Sequence, residues 1–258
     1  MTAPVLLVTN DDGIDSYFLH ALVAALQKAG YVTKVAAPLG EQSWISRAVS
    51  RRREVRLAEY PGLGDAAWSL DGTPTDCVNI ALGHLLTERP AAVVSGINIC
   101  TNIGLPHIMS SGTVAGALEG AFWNLPALAF SFEMPPDRIQ ETRRTQGRMQ
   151  GALAESLQCA AGRAADFVRE CLTHPSAGVG PTVHNINFPS ITTSVTPVVR
   201  TRPGRVRLGK LFTRESPASF RFHHQPEPDN DRAPEADHAA IARGNISHSI
   251  LDYGALGR

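Results

Sequence analysis

Two aspartates stand side by side, Asp11 and Asp12, directly after the apolar run Val5–Thr9 and directly before Gly13. Adjacent carboxylates at the end of a buried strand repel each other unless a positive charge sits between or beside them. A hard divalent cation meets that need, and carboxylate, hydroxyl and amide-carbonyl oxygens suit Mg²⁺ or Mn²⁺. The competing explanation is structural: one aspartate caps the following helix and the other is solvated. A second feature is the run SGTVAGALEG (111–120). A Ser-Gly-Thr turn entering a helix of small residues points backbone N–H groups out of the positive end of the helix dipole, which makes a phosphate seat. The same turn also reads as an ordinary N-cap with glycine for close packing. For DGTPTD (71–76), a Gly-Thr-Pro turn opening another helix, capping is a full explanation.

The elements that must position these residues follow βαβ grammar. Val5–Thr9 is uninterrupted and apolar, the pattern of a strand buried on both faces of a parallel sheet. Leu19, Leu22, Val23 and Leu26 repeat at helical spacing before a stop at Gly30, and Tyr31–Ala37 reads as the next strand. A helix starts at Pro74, a strand runs over Ala91–Val94 and closes in SGIN, and a Gly-rich loop leads to a helix over Thr113–Phe122. Further strands are expected at Ala127–Phe132, Val183–Phe188 and Ile246–Leu251, with a long amphipathic helix over Leu153–Leu172. Met134–Met149 reads as a surface excursion and His223–Asp237 as a polar loop or arm. The pattern predicts an α/β, Rossmann-like parallel sheet with helices on both faces. Ligands bind such sheets beyond the carboxyl ends of the strands, where Asn10–Gly13, Gln42–Ser43 and the Ser95, Asn98, Asn102 group gather.

Composition narrows the classes. The chain has 258 residues, 43% hydrophobic and 19% charged, which excludes wholesale disorder. Its 24 basic and 24 acidic residues cancel, so no global field draws it to nucleic acid or anionic membranes, and Arg51–Arg53 reads as a solvated face. Four cysteines without a CxxC pair suit a reducing compartment, and no apolar stretch is long enough for a membrane span, so a cytoplasmic protein is expected. Nine histidines show neither HExxH spacing nor a close His/Cys cluster, and neither a GxSxG elbow nor a GxxxxGK[ST] loop is present. His223 and His224 fall in the polar arm and read as solvated.

Taken together, LLVTNDDGI (6–14), APLGEQSW (37–44), DGTPTDCV (71–78), SGINICTNIG (95–104), SGTVAGALEG (111–120), PALAFS (126–131) and HNINFP (184–189) resemble one family, the SurE survival-protein nucleotidases. A weaker echo lies in EADHAAIARGNISHSIL (235–251). The resemblance implies a Rossmann-like catalytic core over 1–190. It further implies a C-terminal arm and last strand over 191–258 that subunits exchange to form homodimers or homotetramers. It implies one divalent cation per subunit, held by Asp11, Asp12, Ser43 and Asn98, and hydrolysis of nucleoside 5′- and 3′-monophosphates. Asp11 and Asp12 then take the catalytic role, while Asn10, Asn102, Ser111, Gly112 and Thr113 fall where the family seats phosphate. A catalytically silent nucleotide-binding module that kept the same site is the alternative. Two departures stand out: Cys100 occupies a position where the family usually has glycine, and LPHIMS (105–110) is one residue longer than typical.

Overall fold

The computed structural model describes residues 3–174, 181–223, 231 and 233–256. The first half runs β1 (Val5–Thr9), α1 (Tyr17–Lys28), β2 (Val32–Pro38), β3 (Leu57–Glu59), β4 (Ala66–Leu70) and α2 (Pro74–Ile80). After a π-helical turn over Ala81–Leu85 come β5 (Ala92–Ile99), α3 (Leu105–Ser110), α4 (Gly112–Phe122) and β6 (Ala127–Phe132). Then follow α5 (Ile139–Arg144), α6 (Ala152–Thr173), β7 (Thr182–Phe188) and β8 (Val198–Thr201). The hairpin β9 (Phe212–Ser216) and β10 (Ser219–Phe222), α7 (Asp237–Ala242) and β11 (Ile246–Asp252) complete the order.

Nine strands form one sheet in the order β3-β4-β2-β1-β5-β6-β7-β11-β8. From β4 to β7 every pairing is parallel, whereas β3 on β4 and β11 on β7 are antiparallel. The chain leaves β1 for β2 on one side and later returns to β5 on the other, so strand order reverses at β1. A crevice opens beyond such a reversal.

Side chains alternate across β1 and both faces are covered. Leu6 and Val8 pack with Phe18, Leu22 and Leu26 of α1 and Leu157, Ala161 and Val168 of α6. Leu7 faces the opposite way, onto Cys77 and Val78 of α2. On that second face α4 lies unusually close to the sheet, because Gly112, Gly116 and Gly120 form one stripe at i, i+4 spacing. A Cβ at Gly116 would sit 2.9 Å from Thr9 Cγ2, and one at Gly120 would overlap the Val93 side chain.

Several expectations change. The strand expected to close at Val94 continues as β5 to Ile99, with SGIN inside it. Between Ser95 and Asn98 its register against β6 shifts, since Ser95 pairs Ala129 but Asn98 pairs Ser131. Gly96 makes this bulge possible: its φ is +128° and a Cβ there would collide with the Phe130 carbonyl. The expected surface excursion at 134–149 contains α5, tied down through Thr142, which is buried, and through Tyr17 N–H to the Gln146 carbonyl at 2.8 Å. The Gly-rich loop carries a helical turn, α3. Of the arm expected at 223–237, residues 224–230 and 232 lie outside the described residues; Asp237, at its end, is fully buried rather than solvated.

Candidate active site

The chain emerges from β1 at Thr9 and turns sharply. Asn10 Nδ2 donates to the Gly13 carbonyl at 2.9 Å, and Gly13, at φ +99°, lies close against Gly40. α1 starts six residues beyond Asp11 with Ser16 at its N-cap, so neither aspartate caps a helix. Instead Asp11 meets the start of α4 and Asp12 reaches the end of β5.

Asp11 is buried and meets the start of α4. Thr113 Oγ1 donates to Asp11 Oδ1 at 2.6 Å, and the Thr113 N–H also donates to this carboxylate. Ser111 caps α4, accepting the Val114 N–H at 3.1 Å, so cap and anion seat coexist. The seat is largely taken by the protein itself, because Asp11 is the anion at the helix N-terminus. Gly112 lets this happen: a Cβ there would lie 2.8 Å from Asp11 Cβ and 2.9 Å from the Gln42 carbonyl.

Asp12 is half-buried and turns the other way. Its Oδ2 accepts the Ile99 N–H at 2.9 Å, a donor that the β5 bulge aims beyond the sheet. Asn98 is placed by the same bulge, with Nδ2 donating to the Cys100 carbonyl at 2.7 Å, which leaves its carbonyl oxygen for another partner. The β2–β3 loop is pinned by Gln42 N–H to the Asp11 carbonyl at 2.7 Å and brings Ser43 alongside, where Ser43 Oγ donates to Glu41 at 2.8 Å. Asp11 and Asp12 thus follow β1, Ser43 lies in the β2–β3 loop next to Gln42, and Asn98 stands on the β5 bulge beside Ile99, whose N–H meets Asp12.

Burial raises the Asp11 carboxyl from 3.8 to about 6. Asp12 is pushed well above the ordinary carboxylate range, first by burial and then by the charge of Asp11. Two carboxylates so destabilised fit a cation between them. Among the described residues no group of three or more His, Cys, Asp or Glu could hold a metal ion. Ser43 and Asn98 carry the neutral oxygens that could complete a hard-oxygen donor set with the two carboxylates, of the kind that suits Mg²⁺ or Mn²⁺.

Asn102 is buried and held by the sheet: its N–H donates to Asn187 Oδ1 at 2.8 Å, its Nδ2 to Ser131 Oγ at 2.9 Å, and its carbonyl accepts Asn185 Nδ2 at 2.9 Å. The HNINFP strand is thus the bracket for this loop. A second bracket comes from the far end of the chain, where Asp237 accepts the N–H groups of Gly104 at 2.7 Å and Gly204 at 3.0 Å. Sequence reading missed Asp237, whose buried carboxylate sits in an otherwise polar tract, and it missed Arg143. Ile139 and Arg143 lie one helical turn apart on α5, with Ile139 against the core, and that spacing was the available signal.

A family model for the survival protein SurE matches residues 6–210. The chain belongs to the SurE family. Among its relatives is the 5′-nucleotidase SurE of Solidesulfovibrio magneticus, 33% identical over 96% of this chain and 91% of that protein. The 5′-nucleotidase SurE of Moorella thermoacetica is 34% identical over 96% of this chain and 89% of its own length. The crystal structure of the SurE protein from Aquifex aeolicus superimposes with a TM-score of 0.76 at 25% identity, covering 96% and 93% of the two chains.

At Cys100 this SurE chain has an uncommon backbone. Cys100 has φ +86°, the left-handed region that favours glycine. Its thiol is pushed up to about 11, chiefly by burial, which leaves it protonated and poorly nucleophilic at neutral pH. The stretch 105–110 forms α3, whose last residue leads directly into the α4 cap.

Proposed function

We propose that this protein is a divalent-metal-dependent phosphomonoesterase that releases phosphate from nucleoside 5′- and 3′-monophosphates. The observation that carries the reading is the pair Asp11 and Asp12, adjacent, oriented by separate donors and both destabilised as anions. Support comes also from relatives that bear the name 5′-nucleotidase SurE. One cation per subunit, Mg²⁺ or Mn²⁺, would be held by Asp11, Asp12, Ser43 and Asn98. When bound it would supply Lewis acidity and activate water.

The chain's own residues divide the remaining work. Thr113 spends both its donors on Asp11 and keeps that carboxylate fixed. Asp12 opens on the cleft and is the one of the pair placed to take a proton from water. Asn102, Ser111, Gly112 and Thr113 are assigned to the surround of the phosphate, Thr113 acting through Asp11 and Gly112 by leaving room for that carboxylate; Asn10 holds the turn that carries the aspartates. Donors set in advance around developing charge contribute roughly 10²–10³ in rate apiece.

The protein is assigned to the cytoplasm; among the described residues no helix is long and apolar enough to cross a membrane. With zero net charge it has no stable nucleic-acid partner. Residues 191–258 are assigned to joining copies into a dimer or tetramer, and gel filtration showing a monomer near 27.7 kDa would contradict that. The decisive experiment is phosphate release from a panel of 5′- and 3′-monophosphates with Mg²⁺, Mn²⁺ or EDTA. Metal-dependent release supports the enzyme, whereas tight nucleotide binding without release favours a silent binding module.

A further inference from the structure

A cleft of about 200 Å³ opens beside Asp12, on the side away from α4. Asp12 and Ile99 form one wall, Gly40 and Glu41 another, and Arg143 and Gln146 a third. Three carboxylates border it, Asp12, Asp15 and Glu41, against a single guanidinium. A cation shared by Asp11 and Asp12 would still leave Glu41 and Asp15 to repel a phosphate dianion.

Arg143 is placed to offset that repulsion. Its helix is anchored rather than loose, through buried Thr142, which accepts the Gly147 N–H at 2.7 Å, and through the Gln146 carbonyl on Tyr17. The Arg143 side chain is about one-third exposed, yet its Nε is buried with no hydrogen-bond partner. Among the described residues its one ion pair is to Glu41 Oε1 at 3.5 Å, long and partly exposed. Pairs of that kind contribute about 0–1 kcal/mol, so little holds the guanidinium where it is. Arg143 and Asp12 line the same cleft. Glu41 also accepts from Ser43, so one carboxylate links the candidate cation ligand to this arginine.

We propose that Arg143 is a substrate-positioning residue that leaves Glu41 and pairs with the phosphoryl oxygens of the bound monoester. The planar fork of a guanidinium matches phosphate geometry, and charge-assisted contacts of this kind outweigh a long exposed ion pair. This inference rests on the phosphomonoesterase reading for its substrate, but its first test does not require turnover.

Inorganic phosphate is titrated calorimetrically into the Mn²⁺-loaded wild type and into Arg143→Gln, Arg143→Lys and Arg144→Gln; Mn²⁺ affinity is measured for each. The same proteins are then assayed with AMP and GMP. Arg143→Gln is expected to weaken phosphate roughly 10- to 100-fold. KM should rise by a similar factor and kcat should change less. Arg143→Lys should recover part of the loss, and Arg144→Gln, on an exposed position outside the lining of this cleft, should match wild type. Phosphate affinity and KM within twofold of wild type in Arg143→Gln overturn the proposal. So does a change confined to Mn²⁺ affinity, or the loss of adenosine binding in place of phosphate binding, or a wild type that does not bind phosphate. Should phosphate binding depend on Arg143 while no nucleotide is hydrolysed, the positioning role stands and the nucleotidase reading falls.

Discussion

At the carboxyl end of β1, Asp11 is buried with Asp12 half-buried next to it; on β7 and β11, His184 and His248 are packed together, with ring centroids 5.2 Å apart. The imidazoles settle their own account: His184 Nδ1 and His248 Nε2 lie 3.0 Å apart, one donating and the other accepting. Burial lowers both, His248 to about 3, so each is neutral at pH 7, close to what an ordinary histidine is there anyway. The aspartates have no such exit. At pH 7 they must either be held as anions against burial and each other or keep a proton that an ordinary carboxylate would have released. A fold retains so unfavourable an arrangement where a ligand relieves it. The histidine pair is complete in itself and the aspartate pair is not.

The largest expected effect comes from removing one charge of the aspartate pair. Asp12→Asn should reduce phosphate release at least about 10³-fold while raising the thermal midpoint of the metal-free protein, since one of two repelling anions is gone. A midpoint that falls instead would mean that the repulsion is not real and would erase the contrast with the histidines. Next in size is Gly112→Ala. The added methyl group has Asp11 and the Gln42 carbonyl in its way, so kcat/KM should drop about 10²-fold with Mn²⁺ affinity weakened. Unchanged kinetics would show that α4 can back away from the sheet.

A smaller effect separates the two pairs by pH. His248 takes up a proton on unfolding once pH falls below its ordinary 6.5, so its contribution makes stability decline from there toward about pH 3. Asp11 acts in the opposite sense: between 3.8 and about 6 the folded chain keeps a proton that the unfolded chain has shed, so stability declines as pH rises across that window. His248→Phe should therefore flatten the acid-side loss between pH 6.5 and 4.5 in thermal melts, at a loss of about 1 kcal/mol from the vacated His184 bond. Melts that lose stability over that range as steeply as wild type would place the acid sensitivity elsewhere. Smallest is Cys100→Gly, which relieves a left-handed backbone and should stabilise by about 1 kcal/mol, raising the midpoint by roughly 2–4 °C. A lower midpoint would mean that thiol packing outweighs the backbone relief.

Much of the parallel core was legible because its strands are buried on both faces. β1 and β6 have the limits expected from their apolar runs, and α4 and α6 differ by one residue at most at each end. Regions where periodicity is weak stayed hidden. β3 is three exposed residues, and α5 carries glutamate and arginine through most of its length. SGIN looks like a turn because its glycine and asparagine serve a bulge, which no local pattern separates from a chain reversal. At the site, the aspartate pair stood out by residue type and by its place at a strand end, whereas Ser43 and Asn98 were named as cation ligands through the family resemblance. The supports were harder to read: Asp237 meets the Gly104 loop from far along the chain, and Arg143 is marked only by its spacing from Ile139.

Asp237 gives the order of synthesis a consequence. The loop that carries Asn102 is latched at Gly104 by a carboxylate that leaves the ribosome more than a hundred residues later. A nascent chain can complete β1, β5 and α4 and still lack that latch. The crevice would then gain its final shape only as the last strand docks, so a message truncated near its end would yield a barrel of well-formed parts around an unfastened door.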